Sequence, residues 1–231
     1  MKDLYYVLMY NHLGNAKQCK TLIKHGLIEI NGNIVTDPKY QVNVHDHIIY
    51  QNQRINAQPF LYYMLNKPQG YICANHDQKE KCVVDLLDRQ DCFCLGRLDR
   101  DTTGLLILTN DKSLKKLLLP QNHVCKTYLV QTKEKLTQQN IKQFQEGIII
   151  NHHERCLPAI LDIQDDYHAL VTITEGKYHQ IKKMFLSIDN EVVSLKRIQF
   201  GNLVLDERLK EGQYRLLTQQ EINILLNNED T

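Results

Sequence analysis

Tryptophan is absent from this 231-residue chain, and no apolar run approaches the roughly 20 residues needed to cross a bilayer. The missing long run argues against a membrane-spanning protein. Neither sign of charge is in excess, since 28 Lys and Arg stand against 27 Asp and Glu, a formal charge of +1. Bulk charge therefore points to no polyanion, and any nucleic-acid surface has to be local. Cysteines are few and unpaired in pattern: 7 of them, an odd number, lie scattered from Cys19 to Cys156. That pattern excludes a disulfide framework, lacks the repeated C-x-x-C spacing of structural zinc, and predicts reduced thiols with no bound metal. The opening stretch MKDLYYVLMYNHLGN has no long apolar core followed by small residues, so a cytoplasmic rather than secreted protein is expected. What is present suffices for a core: 42 % of residues are hydrophobic and 24 % charged. Tyrosine is plentiful, 12 against 5 Phe, and its flat apolar face and polar edge suit base stacking or the margin of a core equally.

The pattern along the chain divides it into a small unit, 1–58, and a larger one, 59–231. Ala16–His25 reads as a short amphipathic helix with Cys19, Leu22 and Ile23 on one face and Gly26 to end it. Ile28 and Ile30 before Asn31-Gly32 predict a hairpin, and Gln41–Ile48 a last strand with Val42 and Val44 alternating. Residues 51–60, QNQRINAQPF, lack a sustained period and read as a linker. In the larger unit, strands are expected near 61–65, 105–108, 125–130, 160–163, 168–173, 192–198 and 203–205. Helices are expected over 136–144 and 180–187, with a capped tail over 216–226 in which Thr218 and Glu221 have capping-box spacing. Strands outnumber helices and hairpin-scale connections dominate, which predicts an α+β fold with a mixed or antiparallel sheet.

The most informative stretch is GRLDRDTTGLLILTND, Gly96–Asp111. It sets Arg97, Asp99, Arg100 and Asp101 between two glycines, immediately before the uninterrupted apolar run Leu105–Leu108. Such a run reads as a strand buried on both faces. Charges at the mouth of a buried strand are costly unless paired or hydrogen-bonded, so this turn is either a salt-bridged surface loop or a site.

Five separated pieces resemble the pseudouridine synthases of the small-subunit ribosomal RNA type, the RsuA family. They are YMLNKPQGY (63–71), GRLDRDTTGLLILTND (96–111), CKTYLV (125–130), EGKYHQIKKMF (175–185) and the stretch from VVSLKRIQFGN to QQEI (192–222). The front of the chain resembles the S4 RNA-binding module through Leu22, Ile23, Gly26, Ile30, Asn31, Gly32, Val35, Asp37, Pro38, Val42, Asp46 and Ile48. The resemblance implies an α+β pseudouridine synthase fold with a mixed, largely antiparallel sheet, preceded by a small S4-like α/β module. It implies that Asp99 is the essential carboxylate, that Tyr128 stacks on the uracil ring, and that Lys182 is the basic partner of the carboxylate. Arg97 would lie near the extruded nucleotide, and Lys67 would be a structural or RNA-facing lysine. Lys126, His179, Gln180 and Lys183 would complete the substrate contacts. Asp101 is expected to hold the loop through backbone hydrogen bonds.

In the S4-like module Lys17, Lys20, Lys24 and Lys39 could meet phosphates, although a solvated helix face accounts for them too. The reaction so implied isomerises one uridine of 16S ribosomal RNA, in the 530-loop hairpin region, within an assembling small-subunit particle. It needs no cofactor, because no redox or phosphoryl-transfer step occurs. A monomer is expected. The alternatives are a synthase acting on large-subunit ribosomal RNA and a non-catalytic assembly factor.

Overall fold

A computed structural model describes residues 2–43, 45–88 and 91–226, and divides the chain into two compact units, Met1–Leu61 and Tyr62–Thr231.

In the first unit a short strand β1 (Lys2–Asp3) leads into helix α1 (Leu4–Tyr10), which buries Leu4, Val7 and Leu8. Helix α2 (Ala16–Lys24) follows. Its start is fixed by a reciprocal cap in which Asn15 Oδ1 accepts from the Gln18 amide at 3.0 Å and Gln18 Oε1 accepts from the Asn15 amide at 2.8 Å. Cys19 and Ile23 are fully buried, and Gly26, with φ +68°, turns the chain out of the helix. The strands β2 (Ile28–Ile30), β3 (Asn33–Ile34), β4 (Gln41–Val42), β5 (Ile48–Tyr50) and β6 (Gln53–Ile55) complete the unit.

Two expectations change here. The strand read over 41–48 is broken, with β4 pairing to β1 and β5 joining a separate sheet ordered β3-β2-β5-β6. Between them Asp46 accepts from the Asn43 amide at 2.8 Å and from Asn31 Nδ2 at 2.9 Å, which holds a turn where an extended strand was expected. Val44, part of that reading, lies outside the described residues. The stretch read as a linker contains β6, joined to β5 through Gln51 and Asn52, both at positive φ as a tight hairpin turn requires. Phe60, also in that stretch, is buried against the rings of Tyr6 and Tyr10 at 5.5 and 4.6 Å.

The second unit contains β7 (Tyr62–Lys67), β8 (Phe93–Leu95), β9 (Thr103–Thr109), β10 (Lys126–Thr132), helix α3 (Gln138–Glu146), and the hairpin β11 (Ile149–Ile150) and β12 (Glu154–Arg155). It continues with β13 (Ile160–Ile163), β14 (His168–Ile173), helix α4 (Gln180–Leu186), β15 (Val192–Phe200), β16 (Leu203–Val204), β17 (Tyr214–Leu216) and helix α5 (Gln219–Leu226). The main sheet runs β13-β14-β10-β15-β9-β7-β17, with β16 on β15 and β8 on β9. Only β9 and β15 run parallel among these pairings, so the sheet is mixed and mostly antiparallel. Leu105, Leu106, Ile107 and Leu108 are fully buried in β9, as the unbroken apolar run requires. Strand β17 sits at the sheet edge where the tail was read as starting. The cap lies just beyond it: the Thr218 amide donates to Glu221 Oε2 at 2.7 Å and the Glu221 amide to Thr218 Oγ1 at 3.3 Å.

Where β9 and β15 run side by side, Gly104 pairs with Arg197 at φ +97°. A Cβ there would stand 2.2 Å from the Arg197 carbonyl oxygen, so the two strands close up only because residue 104 is glycine.

Candidate active site

The turn between β8 and β9 carries Arg97, Asp99, Arg100 and Asp101, and two buried cations hold it from below. Lys67, at the end of β7, is fully buried. Its ammonium donates to the carbonyls of Pro68 at 3.0 Å, Arg100 at 3.2 Å and Thr102 at 2.9 Å. Burial lowers its pKa, against the opposing pull of nearby Cys73, Asp101 and Asp99. Arg197 on β15 is 1 % exposed and donates through Nε to the Leu105 carbonyl at 2.8 Å and through Nη2 to the Gly96 carbonyl at 3.0 Å. Further ties come from the Gly70 amide to the Arg100 carbonyl, the Leu98 amide to Cys73 Sγ, and an Arg100–Glu80 pair at 3.3 Å. The main chain at the mouth of the buried strand is therefore held by these partners, and of its charges Arg100 is paired with Glu80.

This turn forms one wall of a cleft of about 840 Å³. Tyr128, Lys126, Leu195 and Arg197 contribute from the sheet, and residues 173–182 from the entry to α4. Tyr128 is 7 % exposed and lies beside Arg197 in register, next to a bulge between Thr127 and Tyr128. From α4, Lys182 Nζ stands 3.4 Å from Asp99 Oδ2 and 2.5 Å from Asp101 Oδ1. His179, which precedes α4 in the left-handed region at φ +53°, brings Nε2 to 3.6 Å from Asp99 Oδ1. Asp99 therefore faces two basic side chains, one from α4 and one from the residue before it, and the carboxylate, tyrosine and lysine picked from the sequence converge on one cleft. Arg97 is exposed, lines the same cleft and has no intramolecular partner among the described residues.

Other expectations are redirected. Lys67 reaches no ligand surface, because its ammonium is committed to three carbonyls; it supports the turn. Gln180 is 4 % exposed and both ends of its amide are used internally: Nε2 donates to Glu175 Oε1 at 2.8 Å, and Oε1 accepts from the Lys177 amide at 2.9 Å. It shapes the entry to α4 and is not free to bind substrate. Asp101, expected to hold the loop through the backbone, has its short contact with Lys182. Burial acts to raise its pKa, but the bond and charge of Lys182 prevail and hold it below the usual carboxylate range. Lys126 donates to the Val124 carbonyl at 2.7 Å, and its pKa is pushed down to about 8 by burial first and by the charge of Arg197 second. Lys183 lies half-buried with its ammonium 5.1 Å from the ring centre of Tyr178. In the first unit Lys17, Lys20 and Lys24 are exposed on α2, away from Cys19 and Ile23, and Lys39 is exposed on the loop before β4. Lys20 lies 4.3 Å over the ring of Tyr5.

Two residues of the site escaped the sequence reading. Arginine is a residue type seldom buried, yet the alternation of VVSLKRIQF places Arg197 on the same face as buried Leu195. Cys73 lines the cleft. Its thiol pKa is lowered from the ordinary thiol value by a hydrogen bond with Cys94, against burial and with help from the Leu98 amide. No sequence signal marks that pair. Among the described residues no cluster of His, Cys, Asp and Glu could hold a metal ion, and no helix is long and apolar enough to cross a membrane.

Residues 61–187 match the RNA pseudouridylate synthase family, and residues 8–48 match the S4 domain. An uncharacterized RNA pseudouridine synthase of Bacillus subtilis, YtzG, is 38 % identical over 222 residues, covering 92 % of this chain and 93 % of that protein. Ribosomal small subunit pseudouridine synthase A of Haemophilus influenzae is 39 % identical over 215 residues, covering 90 % of this chain and 93 % of that protein. A crystal structure described as a pseudouridylate synthase superposes with a TM-score of 0.69 at 36 % identity, covering 97 % of this chain and all of the other.

Proposed function

Because the chain belongs to the RNA pseudouridylate synthases, in the RsuA-like branch with an S4 domain in front, and is an isomerase, we propose that its substrate is small-subunit ribosomal RNA. The relatives named ribosomal small subunit pseudouridine synthase A, similar over nearly their whole length, support that choice. We place the target in the 530-loop hairpin region, within an assembling particle in the cytoplasm. An S4 unit and a cleft on one chain suit a folded RNA better than a free nucleoside, and the exposed lysines of α2 suit phosphate contacts.

The observation that carries the mechanism is Asp99 in a cleft with Tyr128, Arg97 and Lys182. The reaction breaks the bond between C1′ and N1 of uridine, turns the freed uracil, and joins C1′ to C5. The hydrogen on C5 leaves and N1 gains one, so the atoms balance as an isomerisation. Asp99 serves either as nucleophile toward the sugar or as the base that takes a ribose proton; both roles need a carboxylate. Lys182 supplies positive charge beside it. The uridine has to leave its helical stack to reach the carboxylate. Tyr128 then gives the uracil a flat wall and Arg97, unpartnered among the described residues, meets the backbone of the extruded nucleotide.

The test is Asp99→Asn, which keeps size and removes charge. Pseudouridine formation is expected to fall below detection while RNA affinity stays within about threefold. Pseudouridine mapping across both ribosomal RNAs in a strain lacking the gene identifies the target. Loss of one small-subunit site supports the reading, and loss of a large-subunit site alone refutes it. Near-normal activity of the Asp99→Asn protein would remove the carboxylate from the chemistry.

A further inference from the structure

Tyr178 is the most exposed large hydrophobic side chain of the second unit, with 71 % of its surface open, and it stands on the rim of the cleft. Its ring is not loose. The imidazole of His179 stacks against it with centroids 3.8 Å apart and planes 21° from parallel. His179 stands in a left-handed conformation, uncommon for a residue with a side chain, and its Nε2 reaches back to Asp99. Lys183, one turn into α4, sets its ammonium 5.1 Å from the ring centre. An exposed aromatic surface whose orientation is already fixed loses little entropy on accepting a second flat ring, once the ammonium over it moves off to a phosphate. Contiguity with the cleft decides which ring: a polynucleotide whose target uridine lies against Tyr128 has to carry its adjoining nucleotide across the rim.

We propose that Tyr178, backed by His179 and flanked by Lys183, is a stacking platform for the unpaired nucleobase next to the target uridine. The inference rests on the RNA-modifying reading above and adds a second base site to it. Every base has a π-face, so the platform grips without reading sequence. It fixes how the strand enters, and so which way the extruded uridine points. Lys183 is placed to meet the phosphate between the two nucleotides.

The test uses full-length protein and an in vitro transcript of small-subunit ribosomal RNA containing the mapped uridine. Stacking on an aromatic side chain is worth about 1–3 kcal/mol per base, so Tyr178→Ala is expected to raise KM about 5- to 150-fold, with kcat at saturating RNA changed less than about threefold. Tyr178→Phe is expected to recover most of the lost affinity, because the ring and not the hydroxyl does the stacking. Replacing the base on each side of the target in turn with an abasic nucleotide supplies the partner perturbation. On one side the abasic RNA should bind wild type and Tyr178→Ala equally well. An unchanged KM in Tyr178→Ala, or the same fold-loss on every abasic RNA, overturns the platform while leaving pseudouridine formation by the wild type intact. A wild type that forms no pseudouridine in any ribosomal RNA overturns the functional reading, and the platform with it.

Discussion

Replacing Lys67 by methionine keeps the length and apolar stem of the side chain and removes its ammonium. Three carbonyls then lose a donor at once, those of Pro68, Arg100 and Thr102, the last two inside or bordering the turn that bears Asp99, although the Arg100 carbonyl keeps the Gly70 amide. A net hydrogen bond to a charged group is worth about 1.5–3 kcal/mol, and an orphaned buried carbonyl costs about 1–3 kcal/mol. Against that stands the relief of a buried charge, whose cost is visible in the lowered pKa of the lysine. Taking these together, with water able to reach part of the turn, the loss of stability should be about 2–4 kcal/mol. Urea denaturation followed by circular dichroism reads this as a lower midpoint at constant slope. Activity at a temperature where the variant is folded should drop by roughly 100-fold, because a carboxylate misplaced by about 1 Å forfeits that much. A variant with wild-type stability that loses RNA affinity and one unit of salt slope would refute this account. It would return Lys67 to the RNA-facing role the motif suggested.

Glu221 is held down to about 2, chiefly by its two-pronged hydrogen bond from Arg215, so its stabilisation is present above the unfolded value of 4.5 and lost as pH falls toward 2. Glu221→Gln should lower the melting temperature by about 4–8 °C at pH 7 and flatten the decline of stability between those two pH values in calorimetry. Lys126 loses its charge as pH rises through about 8, so RNA affinity measured with the Asp99→Asn protein should weaken between pH 7 and 9, with a salt slope smaller by about one. The decisive comparison adds Lys126→Met, which should show less pH dependence than its parent.

Local signals in the sequence were legible where they are complete within a few residues. The run Leu105–Leu108 announced a doubly buried strand, and Thr218 with Glu221 announced a helix start. Asp99, Tyr128 and Lys182 were found by motif and do share a cleft. What stayed hidden depends on partners far along the chain. Gln53–Ile55 and Tyr214–Leu216 carry no strand period of their own and are strands because β5 and β7 pair with them. Gln180 looked available for a ligand and Lys67 was open between a structural and an RNA-facing role, because polarity is written in the residue, whereas engagement is written in contacts such as those 5 and 35 positions away. Arg197 is the sharpest case, an arginine buried by the carbonyls of Gly96 and Leu105, about a hundred positions earlier.

The turn that carries Asp99 takes its shape from outside itself. Two cations, on strands at positions 67 and 197, grip its main chain, and its own charged side chains at 97, 99, 100 and 101 are left at or near the surface. Holding and acting are thereby assigned to different residues. Exchanges at 97–101 can alter the chemistry while the turn keeps its conformation, so selection can retune the site without rebuilding it. The reverse also follows: a relative that retained GRLDRDTTG letter for letter but had lost the lysine or the buried arginine would pass inspection by motif and be badly impaired.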